Sequence, residues 1–301
     1  VVRQEARYSE AVNGYFICDR GRYGFFYTSN EDRPRQALVD GKEVSYDQAI
    51  SEAREKLGEL IKSAGPDAVA CASSERSSLE TQAMLKRICQ TKGWHGPSYL
   101  VDRAMAQRVK SASSRLESGL AVSLREVESA DFILVVGADP LNEAPMLALA
   151  MRQAQRIGGK IAVIDPRPVT LPFEVHHLPV TPDEMNLCAS LLVKAAVDSG
   201  AATDLEQSGI EFYQAIPPLE TVSPSLQDQI SKVAQELKES KRPIIVCGTE
   251  TVRQATPALA ADHALLLQAT NKRTGLFYLL PGANSFSASL LAGEDGSFIE
   301  T

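Results

Sequence analysis

The chain has 301 residues, more than the roughly 100–150 of a typical single domain, so two α/β units or one large one is the starting expectation. Its 44% hydrophobic and 23% charged residues are an ordinary globular composition, which excludes long disorder. A net charge of -7 excludes a polyanionic partner such as nucleic acid, and no apolar run reaches the roughly 18–20 residues of a membrane helix, so membrane association is expected only through partners.

Residues 1–45 are rich in Arg, Tyr, Gly and Asp with little helical periodicity, and read as an edge piece without a core of its own. Ser45-Tyr46-Asp47 then caps an amphipathic helix with apolar Ala49, Ile50, Ala53, Leu57, Leu60 and Ile61, ended by Gly65-Pro66. Ala68 to Ala72 reads as a short buried parallel strand, followed by a Ser-rich turn and a helix from about Ser78 to Lys92. The next unit is a βαβ crossover, expected right-handed: strand Phe132 to Val136, turn Gly137 to Pro140, helix Ala144 to Ile157, strand Lys160 to Asp165. An extended segment His177 to Val180 and a helix Glu184 to Val197 come next, and the Pro-containing stretch from Ser199 to Pro224 reads as a linker or surface excursion. A helix Leu226 to Glu239, a strand Pro243 to Gly248, a helix Pro257 to Thr270 and an apolar segment Leu276 to Leu280 complete the alternation, which predicts doubly wound parallel sheets.

Cys18, Cys71, Cys89, Cys188 and Cys247 are scattered and odd in number, a pattern of reduced cytoplasmic thiols rather than a disulfide framework, and four of them read as core residues. The chain starts at Val1 with no initiator Met and no apolar leader, so both ends are expected to be boundaries within a longer protein.

In parallel sheets ligands sit beyond the carboxyl ends of the strands, which singles out the turns after Val136, Ile164 and Cys247. Asp139 and Asp165 could accept a hydrogen bond from a ribose or pterin and Arg167 could hold a phosphate, while the bland alternative is that the carboxylates cap helices or tie loop backbone. Neither G-x-G-x-x-G nor G-x-x-x-x-G-K-[ST] occurs, nor any hydrolase nucleophile motif. Adjacent His176 and His177 point to opposite faces of an extended segment and are not a chelating pair.

The run Asn13 to Tyr27, with Asp19-Arg20-Gly21-Arg22 after Cys18, and its continuation Asp32-Arg33-Pro34-Arg35-Gln36 resemble the stretch around the fourth cluster cysteine in the large iron-sulfur subunit of bacterial NADH:quinone oxidoreductase, complex I. Ala130 to Pro140 with Glu143-Ala144-Pro145, Ile164-Asp165-Pro166-Arg167, and Leu280 to Ser285 are similar to the wider molybdopterin oxidoreductase superfamily. The resemblance covers nearly the whole chain and is thin between about 199 and 224.

That resemblance implies an α/β fold of the formate dehydrogenase/DMSO reductase kind, with two doubly wound (Rossmann/flavodoxin-like) domains, one inserted in the other, behind a remnant of an iron-sulfur domain. The expected boundaries are 1–45 for the remnant, 46–105 with 225–301 for the first α/β domain, and 106–224 for the inserted one. Cys18 becomes the fourth ligand of a [4Fe-4S] cluster in the intact protein, with three further cysteines upstream, so these residues alone are not expected to assemble it. Arg20 stands where molybdenum members have a Lys between cluster and pterin. Lys110 falls at the molybdenum-ligand position, with Ser111 or Ser113 as ligands only if the alignment slips. Asp139, Asn142, Asp165 and Arg167 are then vestigial pterin positions. The function implied is electron transfer from NADH through iron-sulfur clusters toward quinone, in contact with other peripheral-arm subunits on the cytoplasmic side of the inner membrane. The alternative is a catalytic enzyme such as a formate dehydrogenase holding a molybdopterin guanine dinucleotide.

Overall fold

A computed structural model describes residues 3–10, 12–100, 102–197, 205–270 and 272–292. The chain divides into two compact units: the described residues of Val1–Ala6, Ile17–Ala106 and Ser287–Thr301 form the first, and those of Arg7–Phe16 and Gln107–Phe286 the second.

The first unit opens with a short helix α1 (Asp19–Tyr23) and an antiparallel hairpin of β1 (Ala37–Val39) and β2 (Lys42–Val44). Asp40 and Gly41 both have positive φ, the backbone of a tight two-residue hairpin turn. Helix α2 (Tyr46–Ala64) starts where expected because Ser45 Oγ accepts a hydrogen bond from Gln48 N at 3.3 Å, and it stops at Gly65, whose φ of 85° leaves the helical region. The β-α-β unit follows as β3 (Ala70–Ala72), α3 (Leu79–Lys92, capped by Ser78) and β4 (His95–Ser98), with β3 and β4 parallel.

In chain order the remaining elements are α4 (Arg103–Arg115), α5 (Leu124–Glu128), β5 (Phe132–Val136), α6 (Pro140–Glu143), α7 (Pro145–Arg156), β6 (Lys160–Ile164), β7 (His176–Leu178), α8 (Met185–Ala196), α9 (Gln207–Ala215), α10 (Pro224–Glu239), β8 (Pro243–Cys247), α11 (Thr256–Ala269), β9 (Gly275–Tyr278) and α12 (Ser285–Leu291). The second unit's sheet is wholly parallel in the order β7-β6-β5-β8-β9. All five residues of β5 are buried, as a central strand covered on both faces demands. Phe132, Leu134 and Val136 join a core with α8, α10 and α11, whereas Ile133 and Val135 join another with Leu147, Met151 and Ala154 of α7. Each of these side chains other than Ala154 contributes about 1.5–3 kcal/mol by leaving water.

Asp131 sets the register beside β5. Its two carboxylate oxygens accept from the backbone N–H groups of Lys241 and Arg242, each at 2.8 Å, and so hold the entry of β8 alongside β5. Pro243 is tolerated in a central strand because it is the first residue.

The strands do not divide as the expected boundaries of 224 and 225 would require. β8 and β9 hydrogen-bond into the same sheet as β5, and the second unit runs without a break from 107 to 286. The buried runs of β5 and β8 are equally apolar, and nothing in their composition distinguishes neighbours in one sheet from members of two. The stretch 199–224 is also more than a linker: 198–204 lie outside the described residues, but α9 packs Ile210, Phe212 and Tyr213 onto the core.

Candidate functional site

β5 lies at the point where the strand order reverses, with β6 on one side and β8 on the other, so the turns beyond its carboxyl end are where this architecture ordinarily takes a ligand. After β5, Asp139 caps α6: its Oδ1 accepts from Asn142 N at 3.3 Å and its Oδ2 from Asn142 Nδ2 at 2.6 Å. Glu143 reaches back and accepts from Asp139 N at 3.1 Å.

After β6, the fully buried Asp165 carboxylate accepts three hydrogen bonds from Arg167: from its backbone N at 2.8 Å, its Nε at 2.9 Å and one terminal nitrogen at 2.8 Å. The other terminal nitrogen of Arg167 pairs with Glu143 Oε1 at 2.9 Å. The two turns are thereby tied through one guanidinium, whose pKa is driven further upward mainly by its hydrogen bond to Asp165. Burial raises the Glu143 carboxyl above its ordinary range, against the opposing pull of the Asp139 N–H and Arg167. The sequence singles out Asp139, Asn142, Asp165 and Arg167, and the structure places all four in this one chain of bonds. Glu143, the residue that closes it, carries no site role in the sequence reading; its place one helical turn after Asp139, from which its carboxylate reaches back to the Asp139 N–H, is the signal that could have found it.

The gap between β5 and β8 is closed by the chain itself. Gly137, at φ 63°, has no room for a side chain, because Val252 Cγ1 lies 2.1 Å from where its Cβ would be. A Cβ on Gly248 would lie 2.0 Å from the Gly137 carbonyl oxygen. Thr251 Oγ1 donates to that same oxygen at 3.2 Å, and Arg108 Nε donates to Thr249 O at 2.6 Å. The backbones of the two turns therefore meet directly, and a Gly248→Ala substitution is expected to destabilise the chain by about 3 kcal/mol through overpacking, readable as a lowered thermal midpoint.

The other predicted positions lie apart from this network. Lys110 and Ser113 are on α4, the first exposed and the second buried with its hydroxyl donating to Val109 O at 2.9 Å. His176 Nε2 meets Glu236 and His177 Nε2 meets the Asp165 carbonyl, so the two imidazoles have different partners. In the first unit, Cys18 is the half-buried N-cap of α1 and Arg20 is exposed. Among the described residues no group of three or more His, Cys, Asp or Glu is arranged to hold a metal.

The profile of the molybdopterin oxidoreductase family matches residues 40–201. The chain belongs to the molybdopterin oxidoreductase family. Over 97% of its length it is 30% identical to the NADH-quinone oxidoreductase G subunit of Pseudomonas putida and 27% identical to that of Escherichia coli K12. It covers 33% of each, so the chain spans about a third of the curated relatives it matches. Among solved structures it is similar to acetylene hydratase from Pelobacter acetylenicus, with a TM-score of 0.55 at 16% identity, over 98% of this chain and 40% of that one, which supports the shared fold.

Membership of the molybdopterin oxidoreductase family implies a pterin group, and the NADH-quinone oxidoreductase relatives imply iron-sulfur clusters. The strand-end residues do not fit the first. Asp165 and Arg167 satisfy one another, Asp139 is committed to its helix cap, and Val252 fills the approach to Gly137. A [4Fe-4S] cubane takes four ligands, and among the described residues no three His, Cys, Asp or Glu side chains are grouped to hold a metal, so these residues do not suffice for it either.

Proposed function

We propose that these residues are the cofactor-free body of an electron-transfer subunit like the large iron-sulfur subunit of NADH-quinone oxidoreductase. In the full-length protein electrons from NADH pass through iron-sulfur clusters toward quinone, and Cys18 completes one [4Fe-4S] cluster as its fourth ligand, with the cationic Arg20 beside it. The α/β units serve as scaffold for neighbouring peripheral-arm subunits on the cytoplasmic face of the inner membrane. No helix among the described residues is long and apolar enough to cross a membrane.

The observation that carries the reading is the Asp165–Arg167–Glu143 network, which uses for the scaffold the groups that a pterin nucleotide would need. The catalytic alternative, a formate dehydrogenase holding a molybdopterin guanine dinucleotide, requires those groups to face the ligand.

Metal and pterin analysis of the full-length protein separates the two. Iron without molybdenum, tungsten or fluorescent pterin oxidation products is the expected result, and a stoichiometric molybdenum or tungsten signal overturns the proposal. Cys18→Ser in the same protein is expected to remove about four irons, the content of one cubane.

A further inference from the structure

At the amino-terminal edge of the second unit's sheet, opposite the turns after β5 and β6, positive charge is concentrated. Lys160 begins β6, Lys241 and Arg242 lead into β8, and Arg273 stands two residues before β9. All four are exposed, in a chain whose net charge is -7. Lys160 is level with Phe132 and Pro243 across β6, β5 and β8, as Ile244 is with Gly275 across β8 and β9. Neighbouring strands lie about 4.8 Å apart, so the four entries set these cations along a rim about 14 Å long.

Backbone bonds fix the rim. Lys160 N donates to Asp131 O and Arg273 N to Lys241 O, each at 2.9 Å, while the Asp131 carboxylate accepts from Lys241 N and Arg242 N. Lys272 is used internally: its Nζ donates to Lys238 O at 2.9 Å and Ser240 O at 2.5 Å, at the negative end of α10. The four rim cations differ, because among the described residues none of their side chains is in an ion pair. Nearby carboxylates are engaged elsewhere: Glu128 pairs with Arg125 at 2.8 Å, and Glu239 accepts from Gln235 Nε2 at 2.8 Å. Glu174, exposed two residues before β7, stands only at the β6 end. At that end Ile157, 67% exposed in the turn leading to Lys160, adds an apolar contact.

We infer that the rim of Lys160, Lys241, Arg242 and Arg273 is a docking surface for a short segment of another protein rich in Asp and Glu. Like charges carried on a fixed backbone repel one another, and carboxylates arriving from outside relieve that repulsion while steering the encounter. A rim of about 14 Å spans roughly four or five residues of extended chain at about 3.3 Å each. This length favours a short acidic segment over nucleic acid, whose phosphates run on past the rim toward a chain of net charge -7. An anionic membrane is disfavoured too, since one exposed apolar residue, Ile157, is a weak anchor. The inference holds whichever cofactors the full-length protein carries.

The test is fluorescence anisotropy of a fluorescein-labelled octaglutamate peptide titrated with the full-length protein. Binding is expected at about 50 mM salt and should weaken about tenfold by about 300 mM, as screening shortens the reach of the exposed charges. The double variant Arg242→Glu with Arg273→Glu should weaken binding about tenfold or more at the lower salt, at an unchanged thermal midpoint because both side chains are exposed. Arg152→Glu with Lys232→Glu, exposed on α7 and α10, makes the same change in net charge away from the rim and should leave binding within about twofold. No binding at the lower salt, or equal losses in the two double variants, overturns the inference. Phosphatidylglycerol vesicles and a single-stranded oligonucleotide are titrated in parallel. If either binds more tightly than the peptide and is released by the rim variant, the rim serves lipid or nucleic acid and the acidic-segment assignment falls.

Discussion

Asp165→Ala lowers the unfolding free energy of the chain by about 3 kcal/mol, measured as a shift in urea midpoint at unchanged slope. The carboxylate is fully buried and satisfies three donors of Arg167, and its loss leaves a backbone N–H and a guanidinium without their acceptor. Removing one partner of a buried pair costs about 3–5 kcal/mol, and the lower end applies because Arg167 is 37% exposed at its side chain and water can reach it. Asn142→Ala, by contrast, removes an exposed side chain whose bond to Asp139 is at the surface, and should change stability by less than about 0.5 kcal/mol. The contrast bears on function as well as stability. If Asp165→Ala left the midpoint unmoved, the carboxylate would not be holding the two strand-end turns together, and the scaffold reading of the β5 and β6 turns would lose its main support.

The second unit's parallel sheet is legible in the sequence because a central strand buried on both faces must be apolar at every position, and Phe132 to Val136 and Pro243 to Cys247 are. The helix starts at Ser45 and Ser78 are legible for a local reason, a side-chain oxygen next to an amphipathic run. What escapes is either compositionally quiet or non-local. Helix α4 buries Ala106, Val109, Ala112 and Ser113, small residues at helical spacing that carry little hydrophobic contrast, and the segment draws attention only as a place for a metal ligand. Helix α9 has Gly209 in its first turn and apolar residues at irregular spacing, so no period stands out. The β1–β2 hairpin does carry a signal, Asp40-Gly41 directly after the apolar run Ala37-Leu38-Val39, but the returning strand Lys42-Glu43-Val44 is mostly charged and the signal is easily overlooked. At the strand ends, residue types disclose which positions meet. They do not disclose that Arg167 turns inward to Asp165 and Glu143, because the same residues in the same order suit a phosphate equally well.

Between pH 7 and pH 5 the second unit should lose about 2 kcal/mol of stability through His263 alone. The imidazole is 2% exposed on α11, its Nε2 lies 3.0 Å from Ser190 Oγ of α8, and Phe212 of α9 stacks obliquely at 5.9 Å between ring centroids. Burial pushes its pKa down from 6.5 to about 3. A depressed value means that the unfolded chain binds a proton first, so the stability present above pH 6.5 falls as pH drops toward 3. The slope in that window is about 1.4 kcal/mol per pH unit. Urea titrations at pH 7 and pH 5 of the wild-type chain and of His263→Gln isolate the effect, since other titrating groups act on both proteins and cancel in the difference. The variant's loss on acidification should be smaller by about 2 kcal/mol, whatever its stability at pH 7. Equal losses in the two proteins would mean that the ring takes up a proton inside the fold. The Ser190 hydroxyl, 3.0 Å away, would then have to accept from Nε2, and the contact between α8 and α11 would hold a buried charge.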